Sequence, residues 1–226
     1  MLAIQIQAGE GPRERMARLG PAALSHEELL GLVLTGGAGG RTLAEALLQR
    51  VGPLPKLARA TLGELRGAGI GPVRAASLCA ALEIGRRVAQ AEAPPGQPVR
   101  SAAAAYQFLR PRIAHLPNEV FVVLLLDVRL RILRDVRVAE GTGWACAVQP
   151  RDALAPAVRE GAAALVFAHN HPSGDPAPSS EDRELTKRLV AASEILGVRA
   201  VDHIVVASRG YASFRELGLW PLGDRR

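Results

Sequence analysis

Residues 165–182, LVFAHNHPSGDPAPSSED, place two histidines directly after an apolar run. The run Ala164–Ala168 predicts a buried strand, and His169 and His171 follow where that strand ends. In an extended chain, residues i and i+2 point to the same side, so both imidazoles can face one point in space. We therefore expect the two histidines to act together.

A carboxylate is predicted to reach the same region from the start of a helix. The prolines of the loop 172–178 exclude a helix there, whereas Ser179–Leu196 carries apolar residues at helical spacing. Asp182 then lies in the first turn of that helix. Two neutral imidazoles and one carboxylate suit a zinc site that keeps a fourth position for water. The stretch thus predicts one Zn²⁺ per chain, bound by His169, His171 and Asp182.

Each half of this pattern also has a simpler interpretation. The sequence Ser179-x-x-Asp182 alone is a capping box, and most such boxes only cap a helix. A lone His-x-His is more often part of a polar loop than a metal site. The metal site is favoured by the combined string, in which His-x-His is followed by seven residues and then by Ser-x-x-Asp.

That combined string resembles the JAMM (JAB1/MPN) zinc metalloprotease motif. The fuller string HNHPSGDPAPSSED, with Asp202-His203-Ile204 downstream, resembles the RadC family, also called UPF0758, over nearly the whole chain. The letters HNH also invite a nuclease interpretation, but in those nucleases the three residues are dispersed over a larger motif. The resemblance implies a zinc-dependent peptidase that hydrolyses a peptide or isopeptide bond. Cytidine-deaminase chemistry is disfavoured, because it needs a Cys-x-x-Cys set that this chain lacks.

The resemblance also implies catalytic roles outside the ligand set. JAMM proteins use as base a glutamate that precedes a strand upstream of the histidines, and the match is Glu119 before Val120–Leu126. Glu140 is the competing candidate for the base. The hydroxyl of Ser179 is expected to stabilise the oxyanion, with Ser180 as its rival by adjacency.

Two further residues are candidates for support of the metal ligands. The strand predicted over Val198–Ala207 carries Asp202 and His203, and this strand is expected beside the strand that bears the ligands. Either side chain would then lie near the metal and orient a ligand. The alternative is that Asp202 and His203 form a hydrogen-bonded pair in the core.

The second half of the chain predicts a mixed α/β (α+β) fold, with helices on a central sheet. The predicted elements are a helix at Ser101–Ile113, strands at Val120–Leu126 and Arg131–Ala139, a helix at Arg151–Glu160, a strand at Ala163–Ala168, a helix at Ser180–Leu196 and a strand at Val198–Ala207. The resemblance implies that these form a JAMM/cytidine-deaminase-like α-β-α sandwich with a mixed sheet.

A linker is predicted before this half of the chain. Residues 91–98, AEAPPGQP, contain three prolines and a glycine without apolar periodicity. We therefore expect a small helical domain at residues 1–93, a linker at 94–98 and the metal-binding domain at 99–226.

The helical domain contains a candidate DNA-binding motif at residues 62–87. This stretch predicts a short helix, a hairpin around Gly69 and Gly71, and a longer helix, and it resembles a helix-hairpin-helix. The glycines expose backbone N–H groups that suit a phosphate, and Arg66 and Arg74 can neutralise phosphates without recognising sequence. The alternative is that the hairpin only packs a helical bundle. A solvated basic turn is favoured earlier in this domain, after Pro12.

Composition limits the cellular setting and the partners. The net charge of +6 permits a nucleic acid or another acidic partner but does not require one. The two cysteines, Cys79 and Cys146, form no pair at metal spacing, and no secretory signal is evident, so a cytoplasmic protein is expected. The competing functions are a zinc peptidase with an unidentified peptide or protein substrate, and a DNA-associated accessory protein linked to repair, whose metal site is structural or vestigial.

Overall fold

A computed structural model describes residues 10–36, 39–91, 94–141 and 148–221 of the chain. The chain divides into two compact units, Met1–Gly85 and Arg86–Arg226. The predicted domain boundary in the linker at 94–98 stays a prediction. Cys79 is a free thiol, whereas Cys146 lies outside the described residues. None of the helices in the described ranges is long and apolar enough to cross a membrane.

The first unit is helical. A buried cluster of mostly leucine side chains joins its second, third, fourth and fifth helices to the start of the sixth. Its helices are α1 (Pro12–Leu19), α2 (His26–Thr35), α3 (Gly40–Val51), α4 (Leu54–Leu57), α5 (Leu62–Gly67) and α6 (Pro72–Ala91), the last of which continues into the second unit, and a short 3-10 turn (Pro21–Ala23) follows α1.

The stretch after Pro12 corrects a prediction, since it is a helix and not a solvated turn. Helix α1 buries Arg15, whose guanidinium forms an ion pair with Glu28 on α2. The basic residues therefore do not all face water: this arginine ties α1 to the helix that follows.

The second unit is a five-stranded mixed sheet between helices. The strand order is β2-β1-β3-β4-β5, in which only the β3–β4 pair is parallel. This confirms the predicted mixed α/β fold. Its elements are α7 (Ala102–Ile113), β1 (Val120–Leu126), β2 (Ile132–Glu140), α8 (Pro150–Glu160), β3 (Ala164–Asn170), α9 (Ser180–Ile195), β4 (Arg199–Ala207) and β5 (Gly210–Ser213).

The two faces of the sheet carry separate cores. Val122 and Leu124 of β1 pack with Phe108 of α7 on one face. Phe121 and Val123 belong to the opposite face, which packs against α8 and α9. The side chains of a strand alternate between the two faces of its sheet. Because both faces are buried at β1, every residue of this strand is apolar.

Candidate metal centre

Three side chains converge where β3 ends and α9 begins. The Nε2 atoms of His169 and His171 are 3.1 Å apart. Asp182 places Oδ1 at 3.1 Å from Nε2 of His169, and Oδ2 at 3.5 Å from Nε2 of His171. Strand β3 continues two residues beyond the predicted strand, so His169 lies on it and His171 follows it by one residue. Asp182 lies in the first turn of α9, as the sequence predicts.

These distances fit a metal ion. A zinc ion binds histidine nitrogen and carboxylate oxygen at roughly 2.0–2.2 Å, so neighbouring ligand atoms of a tetrahedral site lie roughly 3.3–3.6 Å apart. The three observed separations, 3.1, 3.1 and 3.5 Å, require only small adjustments. Within the part of the chain that the structure describes, His169, His171 and Asp182 are the one group of at least three His, Cys, Asp or Glu side chains that could hold a metal.

The electrostatics of the site also favour a cation. Burial on its own raises the pKa of the Asp182 carboxyl, but its close contacts with the His169 and His171 rings outweigh burial and hold that pKa well below its usual range. The Asp182 carboxylate stabilises the protonated form of His171 and so raises its pKa, and the nearby Glu119 carboxylate adds to the effect. A metal must displace any proton on His171, so metal affinity is expected to fall as the pH falls.

A buried hydrogen-bond chain fixes the tautomer of His169. The hydroxyl of Thr186 donates to the backbone carbonyl of Asp182 at 2.6 Å, so it accepts from Nδ1 of His203, also at 2.6 Å. Nε2 of His203 is then free to accept from Nδ1 of His169 at 2.9 Å. Full burial lowers the pKa of His203 well below its usual value, which keeps this ring neutral. Nε2 of His169 is therefore left with a lone pair that faces His171 and Asp182.

The loop after β3 fixes the second histidine in the same way. Nδ1 of His171 donates to the backbone carbonyl of Asp175 at 2.8 Å, which leaves its Nε2 as the lone-pair nitrogen. Gly174 allows this tight loop, since its φ of 85° disfavours any residue with a side chain. Both histidines thus present the atom that a metal needs.

Asp202, the other candidate on β4, does not contact His169, His171 or Asp182 in the described structure. Adjacent strand residues face opposite sides, and the carboxylate of Asp202 accepts hydrogen bonds from the hydroxyl of Ser213 and from the backbone N–H groups of His203 and Arg215. Burial raises the pKa of Asp202. Of the two residues predicted to support the ligands, the structure brings only His203 against a ligand.

We expect His203→Phe to weaken zinc binding by roughly 10–100-fold, the usual effect of losing a partner behind a ligand. Phenylalanine keeps a buried ring but cannot accept the proton of His169. The measurement is the Kd for Zn²⁺ in competition with a chelator. Ser213→Ala is the matched control, because it removes a buried hydroxyl that contacts Asp202, away from the metal ligands. An unchanged Kd in His203→Phe would contradict this role.

Strand register brings Glu119 to the centre. The antiparallel β1–β3 pairing ends with Phe121 opposite His169, and Glu119 and His171 each lie two residues beyond this pair at the same end of the ladder. The effect of the Glu119 carboxylate on the pKa of His171 agrees with this placement. Glu119 is half-buried and precedes β1, as predicted.

The competing Glu140 lies elsewhere. It pairs with Val120, whose position in the β1 alternation belongs to the α7 face of the sheet. Its carboxylate forms an ion pair with Arg137 at 3.1 Å. Thr142 and Gly143, which follow it, lie outside the described residues.

Ser179 is the N-cap of α9, and the capping box predicted as the simpler interpretation is formed. Its hydroxyl accepts from the backbone N–H of Asp182 at 3.0 Å and donates to Oδ2 of Asp182 at 2.7 Å. The hydroxyl thus lies beside a ligand oxygen and is exposed at the edge of the site. The rival Ser180 bonds instead to Glu181.

The predicted DNA-binding residues all lie on the surface of the first unit. Helices α5 and α6 are joined by a turn at residues 68–71. The side chain of Arg50 donates to the carbonyl of Ala68 in this turn at 2.8 Å. Four residues of the predicted motif are exposed: Arg66, Gly69, Gly71 and Arg74.

Three residues that help to build the centre were not identified from the sequence. Thr186 and Asp175 act through bonds that depend on the fold, so no local pattern identifies them. Asn170 had a signal: it is a polar residue inside a buried strand, and it lies between the two histidines.

Comparisons with known proteins cover nearly the whole chain. A family model described as RadC-like JAB domain matches residues 99–219, and one described as UPF0758 N-terminal matches residues 4–76. The chain is 46% identical over 217 residues to a UPF0758 protein of Trichlorobacter lovleyi, and the aligned region covers 93% of this chain and 94% of the relative. It is 43% identical over 216 residues to a UPF0758 protein of Syntrophotalea carbinolica, with 93% and 95% covered. For a UPF0758 protein of Thermotoga maritima the identity is 42% over 212 residues, with 92% and 95% covered.

Proposed function

Because this chain belongs to the UPF0758 family with a RadC-like JAB domain, we propose that it is a zinc-dependent metallopeptidase that hydrolyses a peptide or isopeptide bond. One observation carries the proposal: the ligand atoms of His169, His171 and Asp182 lie 3.1–3.5 Å apart, and the Glu119 carboxylate is close enough to raise the pKa of His171. A merely structural metal site would not need an unliganded carboxylate at this position.

The reaction divides between the metal and the chain. A bound zinc ion acts as a Lewis acid and makes water a nucleophile at neutral pH. Glu119 accepts a proton from the attacking water and later delivers it to the leaving amine. The hydroxyl of Ser179 accepts its capping bond from the Asp182 N–H, and its own proton can turn from Asp182 to the oxyanion of the substrate. The products are one new carboxylate and one free amine.

A peptide-library assay tests the proposed function. The zinc-loaded full chain is incubated with the library, and new amino termini are identified by mass spectrometry. We expect cleavage that a chelator abolishes and that added zinc restores. Cleavage that survives complete removal of the metal, or no cleavage of any peptide or isopeptide-linked substrate, would contradict the proposal.

We propose sequence-independent DNA binding as a second candidate function of the first unit. The exposed side chains of Arg66 and Arg74 flank the turn between α5 and α6, and this supports a contact with phosphates. The metal site would then serve a DNA-associated accessory protein, and this remains the alternative to a peptidase.

The DNA contact makes a quantitative prediction. For binding of the full chain to duplex DNA, the logarithm of the association constant should fall linearly with the logarithm of the salt concentration. The slope should be about −0.9 per neutralised phosphate. The double variant Arg66→Gln, Arg74→Gln should reduce the magnitude of that slope by about two contacts, or roughly 1.8. Arg151→Gln is the control, since Arg151 is an exposed arginine of the other unit. An unchanged slope in the double variant would mean that the hairpin does not contact DNA and only packs within the helical unit.

A further inference from the structure

We propose that Asn170, the middle residue of His169-Asn170-His171, is a positioning residue that holds Glu119 beside His171. This inference rests on the proposed function, because it assigns Asn170 a role through the base of that reaction. Asn170 is the last residue of β3 and is fully buried. By strand alternation its side chain leaves the sheet on the face opposite to the two histidines.

The amide of Asn170 binds the backbone on both sides of Glu119. Its Oδ1 accepts from the N–H of Val120 at 2.7 Å. Its Nδ2 donates to the carbonyl of Asn118 at 3.1 Å and to the carbonyl of Leu116 at 3.3 Å. Three bonds from one side chain therefore span residues 116–120.

This segment needs such support because it has no regular structure of its own. Residues 114–119 lie in the connection between α7 and β1. The backbone of Glu119 is tied to the sheet through its carbonyl, which accepts from the N–H of Gly141 at 2.8 Å. The bonds from Asn170 fix the residues before and after Glu119, so the direction of its side chain depends on them.

Few side chains could replace this amide. Asparagine offers one acceptor and two donors in a short, planar group. An aspartate could still accept from Val120, but it would place lone pairs against two backbone carbonyls. A leucine would remove the partner of two backbone carbonyls and of one backbone N–H.

The arrangement links the base to the metal ligands through a single tripeptide. The outer residues His169 and His171 bind the metal, while the middle residue reaches the other face and holds the segment that carries Glu119. A shift of the segment therefore changes the distance from the base to the reacting water while the ligands stay in place. Misplacement of a catalytic group by about 1 Å can cost about 10²-fold in rate.

The test is Asn170→Asp in the zinc-loaded full chain. We expect kcat to fall by about 10–100-fold, with KM and zinc content near wild type. Asn118→Ala is the matched control: it removes an asparagine side chain of the same segment, which contacts Glu140 at 3.5 Å, and keeps the backbone carbonyl that Asn170 binds. Asn170→Ser is the second variant, in case the aspartate prevents folding.

A double-mutant cycle with Glu119→Gln shows whether Asn170 acts through the base. If it does, Asn170→Asp slows the wild type but not the Glu119→Gln variant. An equal loss in both backgrounds, or no loss in the wild type, would overturn the inference.

Hydrogen exchange of the backbone amides of residues 116 and 118–120 decides the inference without a substrate; Pro117 has no N–H. We expect the variant to exchange at least about tenfold faster in this segment, while the rest of β1 is unchanged. If the wild type hydrolyses nothing, the proposed function fails, but faster exchange in the variant still supports the inference that Asn170 holds the segment with Glu119. Unchanged exchange would overturn it.

Discussion

Glu119→Gln should lower hydrolysis by roughly 10²–10⁴-fold, the usual contribution of a general base, while zinc content and thermal stability stay near wild type. Glutamine keeps the size and part of the hydrogen bonding of glutamate but cannot accept a proton. Glu119 is not one of the three converging ligands, so its loss leaves the metal in place. The measurements are kcat/KM on a cleaved peptide, zinc per chain and the melting temperature.

Glu140→Gln is the control for this experiment, because Glu140 pairs with Val120 and bonds to Arg137, outside the site. It should retain nearly full activity. Loss of zinc from Glu119→Gln would mean that Glu119 is a ligand and that the mechanism is wrong. Full zinc and full activity in Glu119→Gln would place the base elsewhere, and a loss of activity in Glu140→Gln would then assign the base to Glu140.

Asp182→Asn should weaken zinc binding and hydrolysis together. The amide keeps the shape and can still accept from the backbone N–H of Ser179, so α9 remains capped. It loses the negative charge that faces both histidines. We expect zinc affinity to fall by more than the roughly 100-fold that marks the loss of an outer partner, because a direct ligand is removed. The measurement is hydrolysis against free zinc concentration, together with the Kd for Zn²⁺.

Asp175→Asn is the matched control for the second experiment. Asp175 is an exposed aspartate of the loop between β3 and α9, and its carboxylate accepts from the backbone N–H of Ala177 at 3.0 Å. Its contact with His171 uses the backbone carbonyl, which the substitution preserves. Equal losses in both variants would indicate a general charge effect and would contradict the assignment of Asp182 as a ligand.

The convergence of the three candidate ligands could be predicted because their geometry is local. The i, i+2 spacing of His169 and His171 requires only an extended chain, and Asp182 requires only a helix start after a proline-rich loop. The buried strands β1 and β3 could be predicted from their apolar runs, whereas the mixed sheet was implied by the family resemblance. The four-residue strand β5 was missed because it is too short for a clear alternation.

The support around the ligands depends on contacts that the sequence does not encode locally. Val120 and Asn170 are 50 residues apart, and only the β1–β3 register brings them together. The position of Glu119 was inferred from a family resemblance, and the register supplies the physical reason for it. The same holds for His203, which reaches His169 only because β4 lies parallel to β3.

Helix α1 shows a different limit of sequence reasoning. Its arginines suggest a solvated surface, yet Arg15 is buried and forms an ion pair with Glu28. A charged residue is buried only when a partner compensates it, and that partner lies on another helix. Charge counts therefore could not identify which arginine faces the interior.

Zinc binding by the full chain tests the central claim most directly. The zinc-free protein is titrated with Zn²⁺ by calorimetry, beside the double variant His169→Ala, His171→Ala. We expect about one zinc ion per chain in the wild type and no binding of comparable affinity in the double variant, which keeps a single ligand. Full zinc occupancy in the double variant, or no saturable binding by the wild type, would contradict the metal centre.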